Sequence, residues 1–575
     1  MGRLKSAWVC VVLAGAGVAW LLLVAVHAGP PGLAKGPYLQ NAGPTAITVQ
    51  YEMDGPGEGI VRFGAGGAMD QQVAAQLHEK VEFPVNPKDK QSPLRAAYLY
   101  RARLTGLRPG TEYQYQVLPM GEKGAAATAK TFRTFPEKAD RVTFIAYGDT
   151  RSNPKMHRAL AARFASHDPA FILHNGDLVS KGDAPDLWGP QFFLPLADVV
   201  DHVSLWPALG NHERGAKYLL RYFDLPAGRT WYSFDYGPVH VVVLDDNQEG
   251  PDVLKWLDAD LAAAKAPWKI AMYHAPSFNF GGHRSDSHRL TFLPLLVKHG
   301  VDVVVMGHSH LYERFVPLVP VAPAAGAAGA AGAGAALPAG GSRRPISFVT
   351  LGGGGAPLAS SPKMSPPAVL AKAAKAYHYG VLTVDNETLR MRVLTPDGEI
   401  DSLAIAKKGG RYDDAYLAQA RPMEEAIVAL GVILTEPAPI VDALPTPAQA
   451  GRVTILTRFF GMTAPVTLTV RLADASTEAY AMDPVSVEIQ PNQRAQVALT
   501  LRALRKVTAE RDEKRVALNP EPRFVVTARA AGFQASCETA KVVYRWIEAQ
   551  KAKAKAAKGE ALDPHEQDIL GGTGR

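Results

Sequence analysis

Cysteine is nearly missing: the 575 residues hold 2, Cys10 and Cys537. That excludes a disulfide framework and a cysteine-based zinc site, so any metal must rest on His, Asp, Asn or Glu. A charge excess of one sign is missing too. Lys and Arg number 62 against 55 Asp and Glu, a net of +7. That is too mild over this length to imply a nucleic-acid partner. With 47% apolar and 20% charged residues, the chain is neither collagen-like nor wholly disordered, and it can build more than one core. Long apolar runs are confined to the N-terminus. Arg3 and Lys5 precede an unbroken apolar or small stretch over 7–26, and Val26-His27-Ala28 resembles a small-residue cleavage site. Residues 1–28 are therefore expected to be either a cleaved export signal or an uncleaved membrane anchor. Both readings put the protein in the periplasm or outside the cell. Cys10 lies too deep in the run to act as a lipoprotein acceptor.

Glycine (52) and proline (44) are plentiful and punctuate the chain. Residues 33–136 alternate in short strand-like runs between Gly, Pro and Asn. The stretch 104–115, LTGLRPGTEYQY, sets a Pro-Gly turn before an alternating aromatic strand. It resembles the fibronectin type III pattern, in which a tyrosine ties a corner of the β-sandwich. From 141 to 407 the pattern changes. Near-continuous apolar runs at 142–147, 170–174, 203–209, 239–244, 268–273 and 301–306 alternate with helix-like segments such as 157–164 and 253–264. Such runs belong to a sheet covered on its faces, hence α/β. An Ala/Gly/Pro insert at 322–341 cannot bury a core. Residues 408–450 read as a helix-like stretch and a Pro-rich linker, 451–546 as a second β-sandwich, and the Lys/Ala-rich tail at 547–575 as disordered or a frayed helix.

The chemistry sits at the ends of the apolar runs. Gly148-Asp149-Thr150-Arg151 follows the first, Gly176-Asp177 the next, and Gly210-Asn211-His212-Glu213 the third. Later runs lead to His274 and to Gly307-His308-Ser309-His310. In α/β sheets, ligands bind outside the carboxyl ends of strands. Gly-Asp alone is a common turn. Two carboxylates, an amide and several imidazoles delivered in order to one sheet edge suit metal ions held by O and N donors.

This ordered set over 142–405 resembles the calcineurin-like metallophosphoesterases. The β-domain in front and the run GHSHLYER at 307–314 resemble the purple acid phosphatase branch. The resemblance implies a four-layer α-β-β-α sandwich with two metal ions. Asp149 and His310 would hold the first, Asp177 would bridge, and Asn211, His274 and His308 would hold the second. His212 would act as the acid or contact phosphate, and His283 would face substrate. Two departures stand out. Ser180 occupies the place of that branch's iron-ligating tyrosine, and Arg151 the place of the wider superfamily's additional histidine. Without the tyrosinate, two divalent ions (Mn, Fe or Zn) and no purple colour are expected, with Arg151 either clamping phosphate or folded onto Asp183, Asp186 or another acid. The implied activity is hydrolysis of phosphomonoesters by a metal-bridging hydroxide. Phosphodiester or nucleotide hydrolysis at the same site and a catalytically degenerate envelope-binding module are the alternatives. The expected partner is a small phosphoester or nucleotide, with envelope or membrane tethering and no nucleic acid. Asp245-Asp246-Asn247 reads as a second-layer support or a solvated turn, and the glycines at 352–355 as a phosphate cradle or a tight loop.

Overall fold

The computed structural model describes residues 32–85, 91–122, 126–283, 285–320, 344–362, 364–433, 445–511 and 516–538. It also describes the short strands Ala7–Val11, Leu22–Val26, Ile440–Val441 and Val543–Tyr544, and residues 555 and 557. Ala7–Val11 pairs antiparallel with Leu22–Val26. The rest of the expected signal or anchor, the insert at 322–341 and nearly all of the tail at 547–575 lie outside the described residues. Among the described residues no helix is long and apolar enough to cross a membrane.

The chain divides into two compact units. One comprises Met1–Glu137, Phe193–Leu205 and Arg221–Asp224, and the other comprises the remainder. The first unit is an antiparallel β-sandwich. Its long strand Gln71–Pro84 pairs with Leu94–Thr105 through residues 76–84 and with Gly59–Ala65 through residues 71–75, so one strand serves both sheets. Alternating side chains close the core, with Val49, Tyr51, Leu99, Leu104 and Val117 buried. Tyr113 Oη accepts the Arg108 amide at 2.9 Å, tying the corner where the 104–115 pattern expects a tyrosine.

The second unit is built on two seven-stranded sheets. One runs in the order Ser204–Pro207, Phe171–His174, Arg141–Tyr147, Tyr379–Asp385, Thr388–Thr395, Gly398–Lys408, Arg411–Tyr412. The other runs Tyr232–Tyr236, Val239–Val243, Trp268–Met272, Val303–Met306, Ser347–Leu351, Tyr312–Phe315, Leu370–Ala374. The central strands of the second sheet are parallel and almost wholly buried, which explains their near-continuous apolar runs. The sheets stack face to face through Phe234, whose ring lies 4.1 Å from Trp206 and 5.2 Å from Phe171. Helices cover the outer faces. Pro154–Ala161 begins at a proline, with the Asn153 side chain accepting the Met156 amide. Pro251–Ala263 buries Val253, Leu257 and Leu261, an i, i+4, i+8 stripe. The result is the expected α-β-β-α arrangement.

A second antiparallel sandwich follows, with Arg494–Ala503 beside Gly451–Arg458 in one sheet and Val466–Leu472 beside Phe524–Ala530 in the other. The helix-like stretch expected ahead of the linker is more than a connector. Residues Met423–Gly431 form a helix in which Met423, Ala426, Ile427, Val428 and Leu430 are all buried. One continuous apolar cluster joins this helix to Phe292 and Leu296 of the α/β domain and to Val453, Ile455 and Leu468 of the sandwich. Apart from Glu424 and Glu425 in its first turn the helix is apolar, in keeping with cover from both sides.

Candidate metal centre

Each expected ligand lies just past the carboxyl end of a strand. Asp149 follows Arg141–Tyr147, Asp177 follows Phe171–His174, and Asn211 follows Ser204–Pro207. His274 follows Trp268–Met272, and His308 and His310 follow Val303–Met306. The backbone turns sharply at three of them: Asp149 and Asp177 have φ of 56° and His308 has φ of 67°. Left-handed residues other than glycine are uncommon and gather where surrounding structure over-determines them. Gly176 enables the turn before Asp177. Its φ is +97°, and a Cβ there would stand 2.6 Å from His274 Nδ1.

The structure brings all six expected ligands together. Asn211 Oδ1 lies 3.0 Å from both His274 Nε2 and His308 Nδ1, which are themselves 3.3 Å apart. His274 Nε2 is 3.4 Å from Asp177 Oδ1, and His310 Nε2 is 3.4 Å from Asp149 Oδ1. Ligand atoms of Asp149, Asp177 and His274 all fall within 4.8 Å of one another. The electrostatics call for a cation. His274 Nδ1 donates to the Asn175 carbonyl at 2.9 Å, which turns Nε2 inward. Burial opposes charge on this ring, yet Asp177 and Asp149 overcome it and raise its pKa to about 9. Burial and the neighbouring His274 push His308 down to about 3. Burial works against ionised Asp177, but His274 and His212 hold its pKa below the usual carboxylate value.

Support comes from residues behind the ligands. The Glu213 carboxylate accepts the amides of Gly210, Asp177 and Leu178 at 2.7, 2.9 and 2.9 Å. It thereby fixes the backbone at two ligand loops, while burial and the Asp177 charge raise its pKa to about 8. Asn175 Nδ2 donates to the Met306 carbonyl at 2.8 Å, joining the two sheets behind the site. Asp246 accepts the Ala275 amide next to His274, and Asp245 is buried and accepts from Thr230 Oγ1 at 2.6 Å. This strand end is a support rather than a solvated turn.

The remaining expected residues divide. His212 donates its backbone N–H to Asp177 Oδ1 at 2.9 Å. Its Nδ1 lies 2.8 Å from the Ser180 carbonyl, leaving Nε2 turned to the site, 3.9 Å from Asp177 Oδ2. His283 is exposed, its ring centroid 5.3 Å from His308 and 6.1 Å from His310. Arg151 is turned inward. Its Nε donates to Asp177 Oδ2 at 3.1 Å and its Nη2 lies 3.2 Å from His310 Nε2. Asp183 sits instead near Lys181 and Arg214. Ser180 Oγ accepts from Gln191 Nε2 at 3.0 Å. The glycines at 352–355 form a tight loop. The Gly354 amide donates to the Gly148 carbonyl at 2.8 Å, and a Cβ on Gly354 would stand 2.4 Å from that oxygen.

The donor set fits metal. Asp149 Oδ1 is buried and accepts no hydrogen bond, a vacancy that costs about 1–3 kcal/mol unless filled. Asn211 Oδ1, His274 Nε2 and His308 Nδ1 converge within 3.3 Å of one another, and O/N donors of this kind suit Mn, Fe or Zn.

Residues 127–312 match the calcineurin-like phosphoesterase family, and residues 35–134 match the purple acid phosphatase N-terminal domain. Purple acid phosphatase 21 of Arabidopsis thaliana is 27% identical over 38% of this chain and 54% of its own length. Acid phosphatase type 7 of Homo sapiens is 26% identical over 39% of this chain and 58% of its own. This chain spans about half the length of the curated relatives it matches. A purple acid phosphatase from yellow lupin seeds shares the fold, with a TM-score of 0.53 at 18% identity over 70% of this chain and 79% of that one.

Proposed function

We propose, for a chain that carries a calcineurin-like phosphoesterase domain behind a purple acid phosphatase N-terminal domain, that it is an exported, metal-dependent phosphoester hydrolase acting on small phosphomonoesters. One observation carries the reading: six donor side chains from five strand ends converge on one cluster. The donors fall into two half-sites that share Asp177. Asp149 and His310 complete one, and Asn211, His274 and His308 complete the other. A divalent ion bound there would lower the pKa of a water and neutralise phosphate charge.

The chain's own groups do the rest. Asp177 is steadied by the His212 amide, and His274 is oriented by the Asn175 carbonyl. The Ser180 carbonyl holds the His212 ring by Nδ1, so Nε2 is the atom available to give a proton to the leaving oxygen. The guanidinium N–H groups of Arg151 not spent on Asp177 and His310 can take phosphate oxygens. His283, on the exposed rim, would meet the substrate's organic portion. Export is supported by Arg3, Lys5 and the apolar run over 7–26.

A phosphoester panel on the full chain with Mn²⁺, Zn²⁺ or Fe²⁺ tests the reading. Metal-dependent release of phosphate from p-nitrophenyl phosphate, faster than from bis(p-nitrophenyl) phosphate, is the expected result. Preference for the diester would move the assignment to phosphodiesters. Absence of turnover with metal bound would leave only a binding module.

A further inference from the structure

We infer that the Arg151 guanidinium is the resident cation of the half-site formed by Asp149, Asp177 and His310. The folded chain would then keep a single divalent ion, at Asp177, Asn211, His274 and His308. The inference rests on the metal-dependent reading above and narrows it.

His310 is held in one orientation. Its Nδ1 lies 3.0 Å from the Pro357 carbonyl. A carbonyl only accepts, so Nδ1 carries the proton and Nε2 presents its lone pair. That lone pair is the one a metal would need, and Arg151 Nη2 stands on it at 3.2 Å. The same guanidinium donates through Nε to Asp177 Oδ2 at 3.1 Å. Two of the three donors on this side are therefore engaged by one planar cation. The third, Asp149, lies 3.4 Å from His310 Nε2 through Oδ1 and also within 4.8 Å of ligand atoms of Asp177 and His274, so it borders both half-sites. Ser180, standing where the family's tyrosine would be, is tied to Gln191 and offers no anionic ligand to outbid the guanidinium.

Charge points the same way. One divalent ion and the guanidinium against two carboxylates sum to roughly +1, whereas two ions with the guanidinium in place would sum to roughly +3. The Arg151 side chain is only 14% exposed and Asp177 only 1%, so water screens little of the excess. Arginine also cannot shed its proton to relieve the repulsion, as a lysine could. For a second ion to enter, Arg151 must leave both partners.

Metal content and spectroscopy decide. The full chain, Arg151→Gln and Arg151→His are saturated with Mn²⁺, desalted and assayed for metal per folded chain, with electron paramagnetic resonance on the same samples. Two variants guard against misfolding of either one, checked by circular dichroism. The parent chain should keep about one ion with a six-line mononuclear signal, and the variants about two with a broadened, exchange-coupled signal. Two coupled ions in the parent chain would overturn the inference and leave the hydrolase reading standing. One ion in all three proteins would also overturn it, because Arg151 would not be what excludes the second. No retained metal in any of them would sink both readings.

Discussion

His212 serves the site in two separable ways. Its backbone N–H steadies Asp177, and its ring, fixed by the Ser180 carbonyl, turns Nε2 inward. A substitution removes only the second. His212→Asn should therefore lower kcat about 10²- to 10⁴-fold, the usual worth of a placed acid, while metal per chain stays at the parent value. Paired turnover and metal assays check this, and a parallel loss of metal would mean the ring itself holds the ion. What the sequence discloses at this scale is residue type, not direction. Asp149, Asp177, Asn211, His274, His308 and His310 stand out in the sequence because each follows an apolar run, whereas their division between two ions comes from the family resemblance alone. The inward turn of Arg151 was not legible, since its partners Asp177 and His310 lie 26 and 159 residues away. Glu213 was visible in its triplet, but nothing local says that its carboxylate would collect three amides.

Elements position these residues by packing loop on loop. The loop at 352–355 lies so close to the strand end carrying Asp149 that Gly354 has no room for a methyl group. Gly354→Ala should push the Asp149 loop outward, cost about 1–3 kcal/mol and reduce metal retention. Urea denaturation and metal analysis of the variant would reveal it, and an unchanged metal content would show that this contact does not set the ligand position. The parallel strands of the second sheet were readable from their valine runs. A helix-like stretch was readable ahead of the prolines at 437, 439, 445 and 447, but not its burial between two domains, because the partners that cover it are distant in sequence.

Stability of the whole second unit should carry a pH signature away from the metal. His240 is buried between Asp235 and Asp260, 2.8 Å from one and 3.0 Å from the other. Burial opposes its charge, but the two carboxylates raise its pKa from 6.5 to about 9. A raised folded-state pKa means the contribution is complete below pH 6.5 and is lost as pH climbs through 9. It amounts to at most about 3 kcal/mol, reduced by solvent around Asp235, which is 71% exposed. His240→Gln should be less stable than the parent at pH 6 and equal to it near pH 9.5, by denaturation midpoints. A gap independent of pH would assign His240 to packing alone.

The shared apolar cluster around Met423, Ile427 and Leu430 bears on how the protein can be cut. A stop codon after Lys407 would spare every proposed ligand, yet it would strip the cover from Phe292 and Leu296 and leave an oily face open to water. Shortened versions made for crystallisation or industry should therefore keep the chain through 538, even though no residue beyond His310 is asked to touch the metal.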